Sequence, residues 1–172
     1  GLDSDERDNP PLKFKEVYAR AGDRGYRLTM HCDVDQHNTT EHIRQALFEI
    51  GVERIDHGVN SLDDEGLTQE IIERGIGLTV CPISNIQVVQ DSKSAQLKTM
   101  LDKGMLATVN SDDPAYFQSY ITDNLKTAQQ EGGLTKKEVA RLIHNAFTIC
   151  WAPADAKQRY ISRWEEYVAA NA

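Results

Sequence analysis

At 172 residues the chain is long enough to bury a sizeable core, and 40% hydrophobic with 27% charged residues is the make-up of a soluble globular domain. Nineteen basic against 27 acidic side chains give a formal charge of −8, which speaks against nucleic acid or an anionic membrane as partner and leaves a small neutral or cationic ligand as the better fit. Three cysteines, odd in number and without a C-x-x-C pairing, indicate neither a disulfide framework nor a zinc finger and make a reducing cytoplasm the default compartment, and no run nears the roughly eighteen apolar residues of a membrane span.

The opening GLDSDERDNPP is acidic, unlike a signal peptide, and its Gly-Leu-Asp-Ser reads like the end of a strand, so the chain is expected to be cut from something longer. Residues 12–25 are spaced as an amphipathic helix that stops at Gly25, and YRLTMHC (26–32) is β-rich. A second helix over 38–51 has Asn38 or Thr39 as N-cap, a buried stripe of Ile43, Ala46, Leu47 and Ile50, and Gly51 as terminator. The unit then repeats: strand 53–58, helix 61–75, strand 76–82, helix 94–104, strand 105–110. Short buried strands alternating with helices of this length indicate β-α units feeding a parallel sheet. From about Pro114 the chain turns helical, broken at Gly132-Gly133 and at 151–153, and nothing resembling a linker divides residues 1–172 into more than one domain.

Parallel β-α proteins bind ligands at the carboxyl ends of their strands. Each predicted strand ends in polar groups: His31, then Asp56-His57, then Cys81-Pro82 with Ser84-Asn85 beyond, then Asn110 to Asp113. A histidine at one strand end is more often a hydrogen-bonded structural residue than a ligand, and Asp before proline is a good helix cap. A cap needs only one carboxylate, however, and Asp112 and Asp113 side by side are costly unless a cation or a donor offsets them, which favours function. His37 and His42 are expected in solvent, His144 in a helix contact, and Cys32 and Cys81 in packing.

HCDVDQ, ERIDHGV, LTVCPISN and VNSDDPAYF, in that order, resemble the second half of the adenosine/adenine deaminase family of the amidohydrolase superfamily, from Gly1 to about Ala146. The opening stretch is closer in character to the adenine deaminases. The resemblance implies an α/β fold, the C-terminal half of a TIM-type (β/α)8 barrel, with one zinc ion per complete site and hydrolysis of the exocyclic amine of a purine. It implies that His31 and Asp112 are metal ligands, that His57 sits over the metal-bound water, that Asp112 also orients that water, and that Asp113 contacts the purine ring at N7. Zinc accepts imidazole and carboxylate ligands and lowers the pKa of a bound water toward about 7.

Two departures stand out. Where the family has H-A-G-E, with the glutamate as the acid that protonates the ring, this chain has His31-Cys32-Asp33-Val34; Asp35 or Asp33 must replace it, Asp35 being favoured, or the chemistry differs. A substituted amine, as in an N6-modified adenine, is one reason for such a change, and lost activity is another. The H-x-H motif that supplies the other two ligands is also missing, and about 250 residues are typical of a complete barrel. The missing N-terminal half is therefore expected from the same protein or a companion chain, because half a barrel leaves raw edges and an uncovered apolar interior. The readings carried forward are deamination of adenine or an N6-substituted adenine, deamination of adenosine or another purine nucleoside, and a non-catalytic purine-binding or interaction domain. The large aromatic residues of the tail, Trp151, Trp164 and Tyr167, could cover the barrel or a subunit contact, including one in a homo-oligomer.

Overall fold

The computed structural model describes residues 1–171. Four short strands, β1 (Thr29–Cys32), β2 (Arg54–His57), β3 (Gly77–Val80) and β4 (Leu106–Val109), make an all-parallel sheet in sequence order. Order without reversal is the winding of a barrel segment, since a doubly wound sheet reverses at its switch point. The helices are α1 (Lys15–Gly22), α2 (Thr39–Arg44), α3 (Glu65–Glu73), α4 (Pro82–Val89), α5 (Ser94–Lys103), α6 (Ile121–Gly132), α7 (Lys136–Ile149) and α8 (Ala154–Ala170).

Several boundaries differ from the sequence reading, each for a local reason. The first predicted helix enters through a 3₁₀ turn at Pro11–Phe14, and the second passes from α2 into a π-helical stretch, Gln45–Ile50, before Gly51 ends it in the left-handed region. The third begins later than expected, because Asp64 caps it by accepting the Leu67 amide at 2.9 Å. Helix α4 lies where the sequence pattern assigns no element, since its Ile- and Val-rich PISNIQVV is a poor intrinsic helix former. Proline at its first turn and the Asn124 side chain, which accepts the Ile83 amide at 3.0 Å, secure it instead. In the tail, turns occupy 114–118 and helix starts only at Ile121.

Alternation along the strands divides two surfaces. Met30, Cys32, Ile55, Leu78 and Val80 point to the helices and pack with Ile43, Leu47, Ile71, Leu97 and Leu142 in one core. The opposite, concave face carries half-buried Thr29, His31, Arg54, Asp56 and Thr79. That corrects the expected apolar interior: Asp56 accepts hydroxyl protons from Thr29 at 2.8 Å and Thr79 at 3.1 Å, with Arg54 Nε at 3.4 Å. Around Asp56 the concave face of this half-shell is polar and hydrogen-bonded.

Both edge strands also have protected carbonyls. On β1, Tyr18 donates its hydroxyl to Thr29 O at 2.7 Å, and Leu2 O takes the His31 amide at 2.8 Å, so the first residues lie along β1 as a strand end would. On β4, the Asn145 amide of α7 donates to Ala107 O at 2.9 Å. In the tail, the Arg54 guanidinium lies 4.0 Å from the Trp151 ring, Trp164 donates to Ala140 O at 3.2 Å, and Tyr167 stacks on Trp164, so all three aromatics are engaged within the chain.

Candidate functional site

His31 reaches the carboxyl rim by alternation, since it faces the concave side of β1. His57 does not: it shares the parity of Ile55, which points into the helix-side core. A left-handed backbone at His57 (φ 63) breaks the alternation and brings its ring to 4.5 Å from that of His31, edge to face at 71°. Gly58 follows at φ 74, and a Cβ there would stand 2.7 Å from Leu78 Cδ2, so the exit from β2 requires glycine. Asp112 is also left-handed (φ 57). Strained backbone of this kind costs of order 1–3 kcal/mol per residue and gathers at functional sites.

The side chains interlock. The first turn of α4 supplies Asn85, whose Oδ1 lies 3.1 Å from His57 Nδ1, and Ser84, whose hydroxyl donates to Asp112 Oδ2 at 2.6 Å. An amide oxygen only accepts, so His57 carries its proton on Nδ1 and turns Nε2 toward Asp112 Oδ2, 3.6 Å away. Burial is the main cause that holds the His57 imidazole below its ordinary pKa, against the pull of Asp112. His31 is lowered too, by burial first and then by the neighbouring His57. The neutral His57 imidazole and the Asp112 carboxylate thus present lone pairs to one small volume beside the His31 ring, an arrangement that suits a cation.

The donor set also passes a local test for a metal. Ligand atoms of His57, Cys81 and Asp112 lie within 4.8 Å of one another, and His31 Nε2 is buried without a hydrogen-bond partner. An orphaned buried imidazole nitrogen is costly, and a divalent cation would satisfy it. Cys81 belongs to this compact triad, which the sequence reading did not foresee. Its thiol donates to Thr79 O at 3.4 Å and burial pushes its pKa up, so it behaves as a packed thiol.

Asp112 and Asp113 do not cap a helix. The turn after Pro114 closes on the Asp113 carbonyl, which accepts the Tyr116 and Phe117 amides at 3.0 and 2.9 Å, while both side chains line a cavity of about 450 Å³ beside the two histidines. Val34, Val88, Val89 and Phe117 form its apolar side. A second hollow of about 390 Å³ continues from the same residues down the concave face to Arg54 and Thr79.

Asp35 is not where the expectation put it. Its carboxylate accepts the amides of His37 (2.9 Å) and Asn38 (3.2 Å) and the Asn38 side chain (2.8 Å), bonds that hold its pKa below the usual range and leave it outside the cavity lining. Asp33 does line the cavity; burial pushes its carboxyl up to about 7, although the Thr39 hydroxyl (2.6 Å) and the Asn60 amide (3.2 Å) donate to it. His42, expected in solvent, is buried in α2 at 4% exposure. Ser84 and Asn85 appeared in the sequence only as polar residues beyond a strand; placing them on the first turn of a helix gives them their roles.

A sequence model of the adenosine deaminase family matches residues 1–167. An uncharacterised deaminase of Schizosaccharomyces pombe is 48% identical over 171 residues, 99% of this chain and 50% of its own length. The crystal structure of an adenine deaminase from Arthrobacter aurescens superposes with a TM-score of 0.90 at 36% identity, covering 98% of this chain and 52% of that one. An amidohydrolase from Burkholderia ambifaria, solved with bound Zn, shares the fold with a TM-score of 0.85 at 24% identity over 96% of this chain and 46% of its own. The chain therefore spans about half the length of the proteins it matches, and its fold is half of their α/β barrel. With nearly its whole length matched, the chain belongs to the adenosine deaminase family of the amidohydrolases.

Proposed function

We propose that this chain is the C-terminal half of a zinc-dependent aminohydrolase that removes the exocyclic amine of adenine or an N6-substituted adenine. The observation that carries the reading is that His31, with its orphaned Nε2, lines one strand-end cavity together with His57 and Asp112. His31 and Asp112 would hold the zinc, with the remaining ligands from a missing N-terminal half-barrel in the same protein or a companion chain. Bound there, zinc supplies the Lewis acidity that makes hydroxide available near neutral pH.

The chain's own groups account for the rest. His57, neutral and fixed through Nδ1 by Asn85, offers Nε2 as a proton acceptor, and Ser84 orients Asp112. Asp113 lines the cavity and can accept a ring N–H. Of the acids after His31, Asp33 borders the cavity and Asp35 closes a turn, which favours Asp33 as the acid that serves the ring. The cavity also favours an uncharged purine over a nucleotide. Asp3, Asp33, Asp112 and Asp113 line it, and Arg7, the lining guanidinium, is already bound to both oxygens of Asp5 at 2.8 and 2.6 Å.

An N6-alkyl substituent is the variant with a specific observation behind it, because Val34 and the neighbouring valines give the cavity an apolar side where the family has an acid. Assaying ammonia or amine release from adenine, adenosine and N6-methyladenine, with metal content measured by mass spectrometry, tests the proposal. Near-stoichiometric zinc with turnover of a purine base is expected in the complete protein. A protein with both halves that binds no metal and turns over none of these would leave the non-catalytic purine-binding reading in its place.

A further inference from the structure

We infer that Glu6 is a positioning residue of this site: its carboxylate fixes the loop after β1 and so sets where Val34 stands against the cavity. Glu6 is buried, at 6% exposure, and no lysine or arginine forms an ion pair with it among the described residues. A carboxylate in that position is costly unless strong donors face it. The donors are backbone amides: Oε1 accepts the N–H of Asp33 and the N–H of Asp35, both at 2.8 Å. These are the two residues that flank Val34, so one oxygen atom grips the chain on either side of it.

The grip matters because the loop would not hold this shape by itself. Asp33 sits at φ 112, a conformation that an L-residue with a side chain rarely adopts, and it survives only where its surroundings over-determine it. Glu6 holds the amides, while the Asp33 carboxyl is bound to the Thr39 hydroxyl and the Asn60 amide. Between the two clamps Val34 is left to face the cavity. Glu6 lies on the same segment whose Leu2 carbonyl takes the His31 amide, so residues 2–6 latch the end of β1 at two points.

The inference rests on the deaminase reading only for its activity readout; the amide readout stands apart from it. In the complete protein, Glu6→Ala and Glu6→Gln are compared by hydrogen exchange at Asp33 and Asp35, by kcat and KM separately for adenine and N6-methyladenine, and by metal content. Expected for Glu6→Ala is exchange at least 10-fold faster at those two amides with Met30 unchanged, full metal occupancy, a kcat/KM at least 10-fold lower and an altered ratio between the two substrates. Glu6→Gln keeps an acceptor oxygen and should restore both protection and most of the rate. Unchanged exchange in Glu6→Ala, an unchanged rate and substrate ratio despite lost protection, or a glutamine variant no better than the alanine one would each overturn it. Should Glu6→Ala fail to fold, the glutamine variant decides: retained protection and rate support the clamp, and their loss refutes it. If no purine is turned over by the wild type, the deaminase reading fails, and the exchange data still decide whether Glu6 holds the loop.

Discussion

The two faces of the sheet divide the work of this protein. On the helix side Met30, Ile55, Leu78 and Val80 are wholly buried and make the core. On the concave side Thr29, His31, Arg54, Asp56 and Thr79 are half-buried and polar, and the hollow they border opens at the metal-competent rim. Neighbouring residues on one strand therefore belong to different problems, one of stability and one of chemistry. The comparison also shows what keeps the concave side of β1 to β3 polar: Asp56 accepts from Thr29 and Thr79, one on each neighbouring strand.

The sharpest test is Met30 against His31. In the complete protein His31→Ala should lower kcat/KM by about 1,000-fold or more, with loss of metal, since a catalytic constellation tolerates no missing member. It should leave denaturant stability of the apo-protein within about 1 kcal/mol, as the ring has an unpartnered nitrogen. Met30→Ala should do the reverse, costing about 2–5 kcal/mol in urea melts while the folded fraction keeps its kcat/KM. If both variants lose activity and stability together, the division of faces is wrong.

Asp33 sharpens the comparison through pH. Its folded pKa, raised to about 7 by burial, lies above the unfolded value, so the stability it contributes is complete below about pH 4 and is lost as pH rises through 7. Asp33→Asn should flatten the decline between pH 5 and 8 by of order 2–4 kcal/mol, read from denaturant midpoints. His31 and His57 work in the opposite sense. Their folded values are depressed, so the stability tied to their neutral forms is present above about pH 6.5 and is lost as the solution is acidified.

Smaller effects belong to the scaffold. Asp56→Asn weakens the acceptor shared by Thr29, Thr79 and Arg54 and should cost about 1–3 kcal/mol, with a secondary effect on activity through the register of His31, its β1 partner. Asp35→Ala removes a turn-closing cap and should cost about 1 kcal/mol with kcat unchanged. Loss of turnover in that variant would return Asp35 to the mechanism.

What the linear chain determined was the parallel β-α alternation, the polar strand ends and the ordered motifs around His31, His57, Asp112 and Asp113, because periodicity and local motifs are short-range and survive in one dimension. Tertiary structure alone decided the rest. Alternation would have sent His57 into the core; its left-handed backbone and Gly58 turn it to the rim, and only packing against Leu78 reveals that glycine's necessity. Helix α4 exists despite weak propensity because Asn124 and proline secure it, and it then delivers Ser84 and Asn85. Asp33 and Asp35, nearly interchangeable in sequence, separate when Glu6, 27 and 29 residues away, takes the amide of each. Long-range hydrogen bonds of this kind carry no sequence period, and they fix which acid meets the cavity and which merely closes a turn.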